Sequence, residues 1–107
     1  MGMRAVHPGE ILREDVLKPL DMSARKFAEL LDVPQNRVSA ILNEQRAITP
    51  DTALRIARLL DMTPDYWLRL QMRYDLQTQQ AAAGREITRT IRPLSKAEVA
   101  AITATLT

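Results

Sequence analysis

Residues 23–43 read SARKFAELLDVPQNRVSAILN and contain two short apolar stripes. The stripes consist of Phe27, Leu30 and Leu31, and of Val38, Ile41 and Leu42. Their i, i+3, i+4 spacing is typical of two amphipathic helices. Ser23 is a suitable N-cap for the first helix, while Pro34 disfavours helix at Val33 and suits a first helical turn. Two helices joined by so tight a break must cross steeply, which predicts a helix-turn-helix.

The same stretch fits the twenty-residue pattern of DNA-binding helix-turn-helix motifs. The apolar and small positions of that pattern are occupied by Phe27, Ala28, Leu31, Val33, Val38 and Ile41. Asp32 stands at the turn position where such motifs usually carry glycine. Because aspartate tolerates the left-handed region better than most residues, we expect Asp32 to adopt a positive φ with mild strain.

The second predicted helix has a polar face opposite its apolar stripe. With the stripe inward, a step of about 100° per residue points Asn36, Ser39, Ala40 and Asn43 outward. Asn and Gln pair with adenine, Arg pairs with guanine, and an alanine methyl can contact the thymine methyl. We therefore predict that the residues contacting bases are Gln35, Asn36, Arg37, Ser39 and Ala40. The alternative is a polar, solvent-exposed face of a helical bundle.

Hydrogen-bond donors also follow this helix, in the loop 44–48. Gln45 and Arg46 are placed to meet a phosphate beside the groove, and Ser23 and Arg25 to meet one from the first helix. An ordinary solvated loop is the alternative. Residues 23–46 carry four basic and three acidic side chains. So small an excess neutralises few phosphates, and we therefore expect a homodimer, which doubles the contacts.

Composition places the chain among small helical proteins of the cytoplasm. The 107 residues are 46% hydrophobic, with three glycines and no cysteine. This composition supports one domain, excludes disulfides and thiolate chemistry, and fits a reducing compartment. No apolar run approaches a membrane span and no signal-peptide core is visible, so we expect a soluble, cytoplasmic protein with no membrane partner. The net charge of +2 permits a polyanionic partner without requiring one.

A further helix is predicted before the helix-turn-helix, and the segment His7–Glu10 opens it. This helix has an apolar side at Ile11, Leu12 and Val16 and is bounded by Pro19. His7 is the only histidine, and without cysteine or a second histidine it is a poor metal ligand. No motif places a nucleophile or a paired carboxylate beside it. We predict that His7 caps the helix, and that the protein is not an enzyme and has no metal site and no cofactor.

Two further helices begin with nearly identical sequences. Thr49-Pro50-Asp51 and Thr63-Pro64-Asp65 each offer a Thr N-cap, Pro at the first helical position and an acid that favours the helix dipole. The expected inward residues are Ala53, Ile56, Ala57 and Leu60 in one helix, and Trp67, Leu70 and Tyr74 in the other. We interpret the aromatic stripe as core, not as a ligand site.

Residues 7–76 resemble HigA-type antitoxins, a branch of the Xre, lambda-repressor-like domains. The matching segments, in order, are HPGEILREDVLKPL, SARKFAELLDVPQNRVSAIL, AITPDTALRIARLL and TPDYWLRLQMRYDL. The resemblance implies an all-α, five-helix DNA-binding domain over residues 1–80 that dimerises on an operator. It also implies a partner, a RelE-like ribonuclease toxin that the antitoxin neutralises. Pro34 departs from the family, which often has Ser or Thr there as N-cap of the second helix.

Paired recognition helices related by two-fold symmetry require a palindromic operator, with half-sites about one helical turn apart. A free-standing Xre-type repressor without a toxin is the alternative function. A gene for a small basic ribonuclease beside this one would distinguish the two.

The residues after Gln80 predict a strand-helix extension, 81–107, for dimerisation or toxin contact. The segment 81–84 predicts a break, and 86–91, rich in Ile and Thr, predicts a short strand that pairs with a second copy or with the toxin's sheet.

Ser95 and Glu98 form a capping-box signature for a last helix. The predicted contact residues of the extension are Ile87, Ile91, Val99 and Ile102, with Leu106 continuing the last stripe. A frayed terminus and a tail that follows the phosphates are the alternatives.

Overall fold

The protein is described by a computed structural model of residues 4–106, with side chains for 4–105, and all regular secondary structure in this range is helical. The helices are α1 (Pro8–Ile11), α2 (Ala24–Leu31), α3 (Gln35–Leu42), α4 (Pro50–Leu60), α5 (Asp65–Thr90) and α6 (Lys96–Leu106). A π-helical segment, Leu12–Leu17, continues directly from α1. Within residues 4–106 no helix combines the length and apolar character needed to cross a membrane.

His7 is the N-cap of α1, as predicted. Its Nδ1 accepts a hydrogen bond from the Gly9 N–H at 2.9 Å, and Pro8 occupies the start of the helix. The His7 side chain is only 3% exposed and its ring meets the ring of Tyr74 edge to face, with centroids 4.8 Å apart. The cap therefore also joins α1 to α5.

Burial of the imidazole lowers the pKa of His7 below its usual value. The contribution of His7 to stability should therefore be complete above about pH 6.5, the pKa of the unfolded state. It should be lost as the pH falls from there towards the lower pKa of the folded state. Urea unfolding between pH 5.5 and 7.5 measures this contribution. We expect the free energy of unfolding to fall by up to ~1.4 kcal/mol for each pH unit below pH 6.5. The variant His7→Asn retains a capping oxygen but does not titrate. A slope that survives in His7→Asn would contradict the assignment to His7.

The π-helical segment brings a second leucine into the core. Its defining bond runs from the Lys18 N–H to the Arg13 carbonyl, 3.1 Å long. Since such a turn closes over five residues, Leu12 and Leu17 lie on one side, and both are buried. The predicted apolar side included Leu12 but missed Leu17, because the prediction assumed an α-helical period.

The helix-turn-helix of α2 and α3 forms as the sequence predicts. Ser23 caps α2 through a 3.0 Å bond from the Lys26 N–H. Asp32 ends α2 with φ 57° and ψ 50°, which confirms the positive φ expected at this turn. Pro34 lies at the N-cap of α3 and makes no side-chain capping bond.

The core lies where the π-helical segment, α2, α3, α4 and the start of α5 meet. Its buried apolar side chains are Leu12, Leu17, Phe27, Ala28, Leu31, Val38, Ile41, Ile48, Ala53, Ile56 and Trp67. Leu30, placed in the first stripe by the sequence pattern, is 43% exposed instead. The small Ala28 faces the core instead, where α2 approaches its neighbours.

Gln71 of α5 fixes the loop that follows α3. Its side chain is buried, and its Oε1 accepts a hydrogen bond from the Ile48 N–H at 2.8 Å. Its Nε2 donates to Asp75 at 2.9 Å, so the amide is satisfied on both sides. Nothing in the sequence singles out Gln71, because one glutamine between Leu70 and Met72 has no periodic signature.

The predicted break at 81–84 and the predicted strand at 86–91 are both wrong. Helix α5 runs from Asp65 to Thr90 without interruption, across the predicted boundary at residue 80. Ile and Thr favour strands only where a partner strand exists, whereas an established helix gains one hydrogen bond for each added residue. The Thr90 hydroxyl donates to the Glu86 carbonyl at 2.8 Å, and Glu86 pairs with Arg89.

The capping box of α6 is confirmed. The Ser95 N–H donates to Glu98 at 3.0 Å, and the Glu98 N–H donates to the Ser95 hydroxyl at 3.2 Å. The radius of gyration is 18.5 Å, compared with about 13 Å for a compact chain of this length. The end of α5 together with α6 therefore projects from the core.

Candidate nucleic-acid interface

The outer face of α3 carries polar groups that the described chain does not use. Gln35 and Asn36 are exposed and Ser39 and Ala40 are half-buried, while Val38 lies in the core on the opposite side. Within residues 4–105 no side-chain hydrogen bond engages Gln35, Asn36 or Ser39. The face therefore presents amide and hydroxyl groups that are free to bond to an external molecule.

Arg37 belongs to the predicted base-contacting set but is held at one edge of this face. Its Nη1 donates to the Asp51 Oδ2 of α4 at 2.7 Å, and its side chain is only 25% exposed. Hydrogen bonds from Arg55 and then Arg37 keep the pKa of the Asp51 carboxyl below its usual range. The carboxylate is therefore ionised at neutral pH and Arg37 has a defined direction.

Arg55 extends this connection to α2. Its Nε donates to the same Asp51 oxygen at 3.0 Å, while its Nη1 donates to the carbonyls of Leu31 and Asp32 at 2.9 and 3.2 Å. These carbonyls end α2 and have no intrahelical partner. Arg55 thus caps α2, and through Asp51 it braces the crossing of α2 and α3. The spacing of Asp51 and Arg55 is visible in the sequence, but their contacts with other helices are not.

The opposite end of α3 is held by the first helical turns of the chain. Arg13 Nη1 donates to the Leu42 carbonyl at 2.5 Å, and the guanidinium lies 3.7 Å from Glu44. Gly9 approaches so closely that a Cβ there would lie 1.8 Å from the Ile41 carbonyl oxygen. Helix α3 is therefore fixed at both ends.

The predicted phosphate-contacting residues lie at two places beside α3. Ser23 lines one groove with Arg13, Lys18 and Leu42, so the start of α2 lies next to the end of α3. The Ser23 oxygen accepts the capping bond, which leaves its O–H as a donor. Arg25 is largely exposed and 3.5 Å from Glu29.

Gln45 and Arg46 are exposed in the loop after α3. Neither side chain has a hydrogen-bond or ion-pair partner in the part of the chain that the structure describes. A backbone bond from the Gln45 N–H to the Ala40 carbonyl, 2.8 Å long, fixes the start of this loop. Both side chains are therefore free to donate to an anionic ligand.

The predicted contact residues of the extension are not covered by their own domain. Ile87, Ile91, Val99 and Ile102 are all exposed, Ile91 most of all at 63%. The side chain of Leu106 lies outside the described residues. Contact of these residues with a second copy or a toxin stays a prediction.

Comparison with known proteins identifies the fold and the branch of the family. The helix-turn-helix family matches residues 14–67, from the π-helical segment into α5. Virulence-associated protein I of Dichelobacter nodosus is 45% identical over 93 residues, which cover 87% of this chain and 84% of that protein.

Two solved structures extend the similarity to most of the chain. The Pseudomonas aeruginosa antitoxin HigA with the higBA promoter is 41% identical, with a TM-score of 0.84 over 86% of this chain and all of that one. An addiction module antidote protein of the HigA family from Coxiella burnetii is 46% identical, with a TM-score of 0.83 and the same coverage. The first of these proteins is named as an antitoxin and the second as an antidote protein.

Proposed function

Because the chain belongs to the Xre-type helix-turn-helix family, in its HigA antitoxin branch, we propose that it is the antitoxin of a type II toxin-antitoxin pair. In this proposal it binds its own operator as a dimeric repressor and neutralises a RelE-like ribonuclease. The observation that carries the DNA-binding half is the outer face of α3. That face has unengaged amide and hydroxyl groups on a helix held at both ends. The structure of the P. aeruginosa relative was solved with the higBA promoter.

The geometry supports sequence reading by α3 in the major groove. Gln35 and Asn36 carry amides of the kind that bond bidentately to adenine, and the Ala40 methyl suits a thymine methyl. The half-buried Ser39 and Ala40 are short, which lets the helix lie close to the base edges. Ser23, Arg25, Gln45 and Arg46 would position the domain on phosphates.

The projecting C-terminal region supports the proposed contacts with a second copy and with a toxin. Four apolar side chains in this region are exposed and do not belong to the core: Ile87, Ile91, Val99 and Ile102. Exposed apolar surface of this kind marks protein contacts. A two-fold dimer would pair two α3 helices and favour a palindromic operator.

Changing Arg46 to alanine should weaken binding to every DNA sequence. Loss of one phosphate contact should reduce the slope of log K against log salt concentration by about 1. Fluorescence anisotropy with a labelled duplex over a series of NaCl concentrations measures this slope. Arg69→Ala is the control, because Arg69 is a similarly exposed arginine on α5, paired with Asp65 and outside the helix-turn-helix. An unchanged slope in Arg46→Ala would remove Arg46 from the phosphate contacts.

Co-expression with the neighbouring reading frame tests the whole proposal. The tag is placed on the neighbour only, and the eluate is resolved by size-exclusion chromatography. We expect a stoichiometric complex whose partner arrests growth when expressed alone, together with sequence-specific binding of the upstream DNA by this chain. A chain that binds this DNA but leaves a harmless neighbour unbound is a free-standing repressor, and the toxin half of the proposal fails.

A further inference from the structure

One carboxylate oxygen joins the base-reading helix to α4. Asp51 Oδ2 accepts from Arg37 at 2.7 Å and from Arg55 at 3.0 Å. Arg55 is itself fixed by two carbonyls at the end of α2. The position of Asp51 is therefore set by the backbone of the helix-turn-helix, and the direction of Arg37 is set by Asp51.

The bond to Asp51 leaves Arg37 able to bind a base. A guanidinium has five N–H donors in a planar fork, and the Asp51 contact uses one of them. Guanine accepts two parallel donors at O6 and N7. No other partner engages the Arg37 side chain within residues 4–105. An arginine already held in one orientation loses less rotamer freedom on binding than a mobile one.

We infer that Asp51 is a positioning residue that directs Arg37 to a guanine and so sets one position of the operator sequence. This inference rests on the proposed DNA-binding function. The negative charge of Asp51 adds a second effect, because a half-exposed carboxylate beside the interface repels phosphates of any sequence. Removing it should therefore lower specific discrimination and strengthen non-specific binding.

Asp65 is a matched control for Asp51. It stands in the second Thr-Pro-Asp sequence, in the first turn of α5, and pairs with Arg69 four residues on at 3.0 Å. Asp51 and Arg55 have the same spacing and a pair of the same length. Asp65 differs because, within residues 4–105, it forms no hydrogen bond or ion pair with α3. Asp65→Asn therefore reproduces the loss of an acid from a helix start without disturbing Arg37.

The experiment selects duplexes from a randomised DNA library with the full-length wild-type chain. Affinities are then measured for the selected duplex and for its single-base variants. Asp51→Asn and Arg37→Gln should each lose on the order of tenfold discrimination at the same guanine. The double variant should lose no more than either one, and Asp65→Asn should behave as wild type. Binding to an unrelated duplex should be tighter for Asp51→Asn than for wild type.

The outcomes separate this inference from the function on which it rests. If wild type selects no sequence, the proposed function fails and the inference falls with it. If wild type selects a sequence but Arg37→Gln preserves every base preference, the function stands and the inference is overturned. Equal losses at all positions in Asp51→Asn and Asp65→Asn would show a role in helix stability only, and would also overturn it.

A melting temperature for each variant shows whether Asp51→Asn remains folded. If it does not, Asp51→Glu replaces it, because the longer carboxylate keeps the charge but moves the point to which Arg37 bonds. An unchanged preference at the guanine in a folded Asp51→Glu variant would overturn the inference.

Discussion

Replacing Gly9 by alanine is expected to lower the free energy of unfolding by about 3 kcal/mol. The added Cβ would lie 1.8 Å from the carbonyl oxygen of Ile41 and 2.8 Å from its carbonyl carbon. Both are backbone atoms of α3 and cannot rotate away as a side chain would. The contact can be relieved only if α1 moves off α3. Such a movement would also disturb the Arg13 bond to Leu42.

Thermal unfolding of the full chain measures this effect. A loss of this size should lower the melting temperature by roughly 12–20 °C and reduce DNA binding in proportion to the unfolded fraction. Gly84→Ala is the control, since the nearest heavy atom to its added Cβ is the Gln80 Cβ at an ordinary 3.8 Å. Because alanine is the better helix former, Gly84→Ala should stabilise by roughly 0.5–1 kcal/mol. Equal melting temperatures for the two variants would contradict the packing of α1 on α3.

The double change Asn36→Ala with Ser39→Ala should abolish most of the operator preference while the fold stays intact. Neither side chain bonds within residues 4–105, and alanine favours a helix more than either residue does. The melting temperature should therefore be unchanged or slightly higher. The ratio of specific to non-specific affinity should fall on the order of 100-fold, since each good base contact discriminates by about 1–3 kcal/mol.

Competition between the selected duplex and an unrelated duplex measures this ratio at fixed salt concentration. The control is the double variant Gln79→Ala with Gln80→Ala, which removes two exposed polar side chains from α5. It should leave the ratio unchanged. A normal preference in the Asn36 and Ser39 variant would show that the outer face of α3 does not read the bases.

The features that the sequence predicted correctly depend on neighbouring residues. The His7 and Ser23 caps, the positive φ of Asp32 and the box of Ser95 and Glu98 are each formed within a few positions along the chain. The chemistry of such contacts is legible in the residue types themselves. The base-contacting set, read from helical periodicity, lies on or beside the outer face of α3 as expected, although its role stays a prediction.

The incorrect expectations concern residues whose conformation depends on what lies beside them. The Ile and Thr pattern of 86–91 suits a strand. The segment instead continues α5, since residues 4–106 contain no strand with which it could pair. Leu30 fits the helical spacing of the first stripe, yet it is exposed. The side of α2 that packs against the core carries Ala28 instead. Spacing alone cannot show which side of an apolar stripe a neighbour will cover.

Local hydrogen bonding and periodicity were thus sufficient to determine the helix-turn-helix, its caps and its outward residues from the sequence. Only the tertiary structure decided how α3 is held. Gly9 contacts Ile41, Gln71 bonds to Ile48, and Asp51 joins Arg37 to Arg55. The first two contacts link residues far apart in sequence, and the third links two helices. Such contacts form only after helix faces have packed, because the partner of each group is set by the packing and not by its neighbours in the chain.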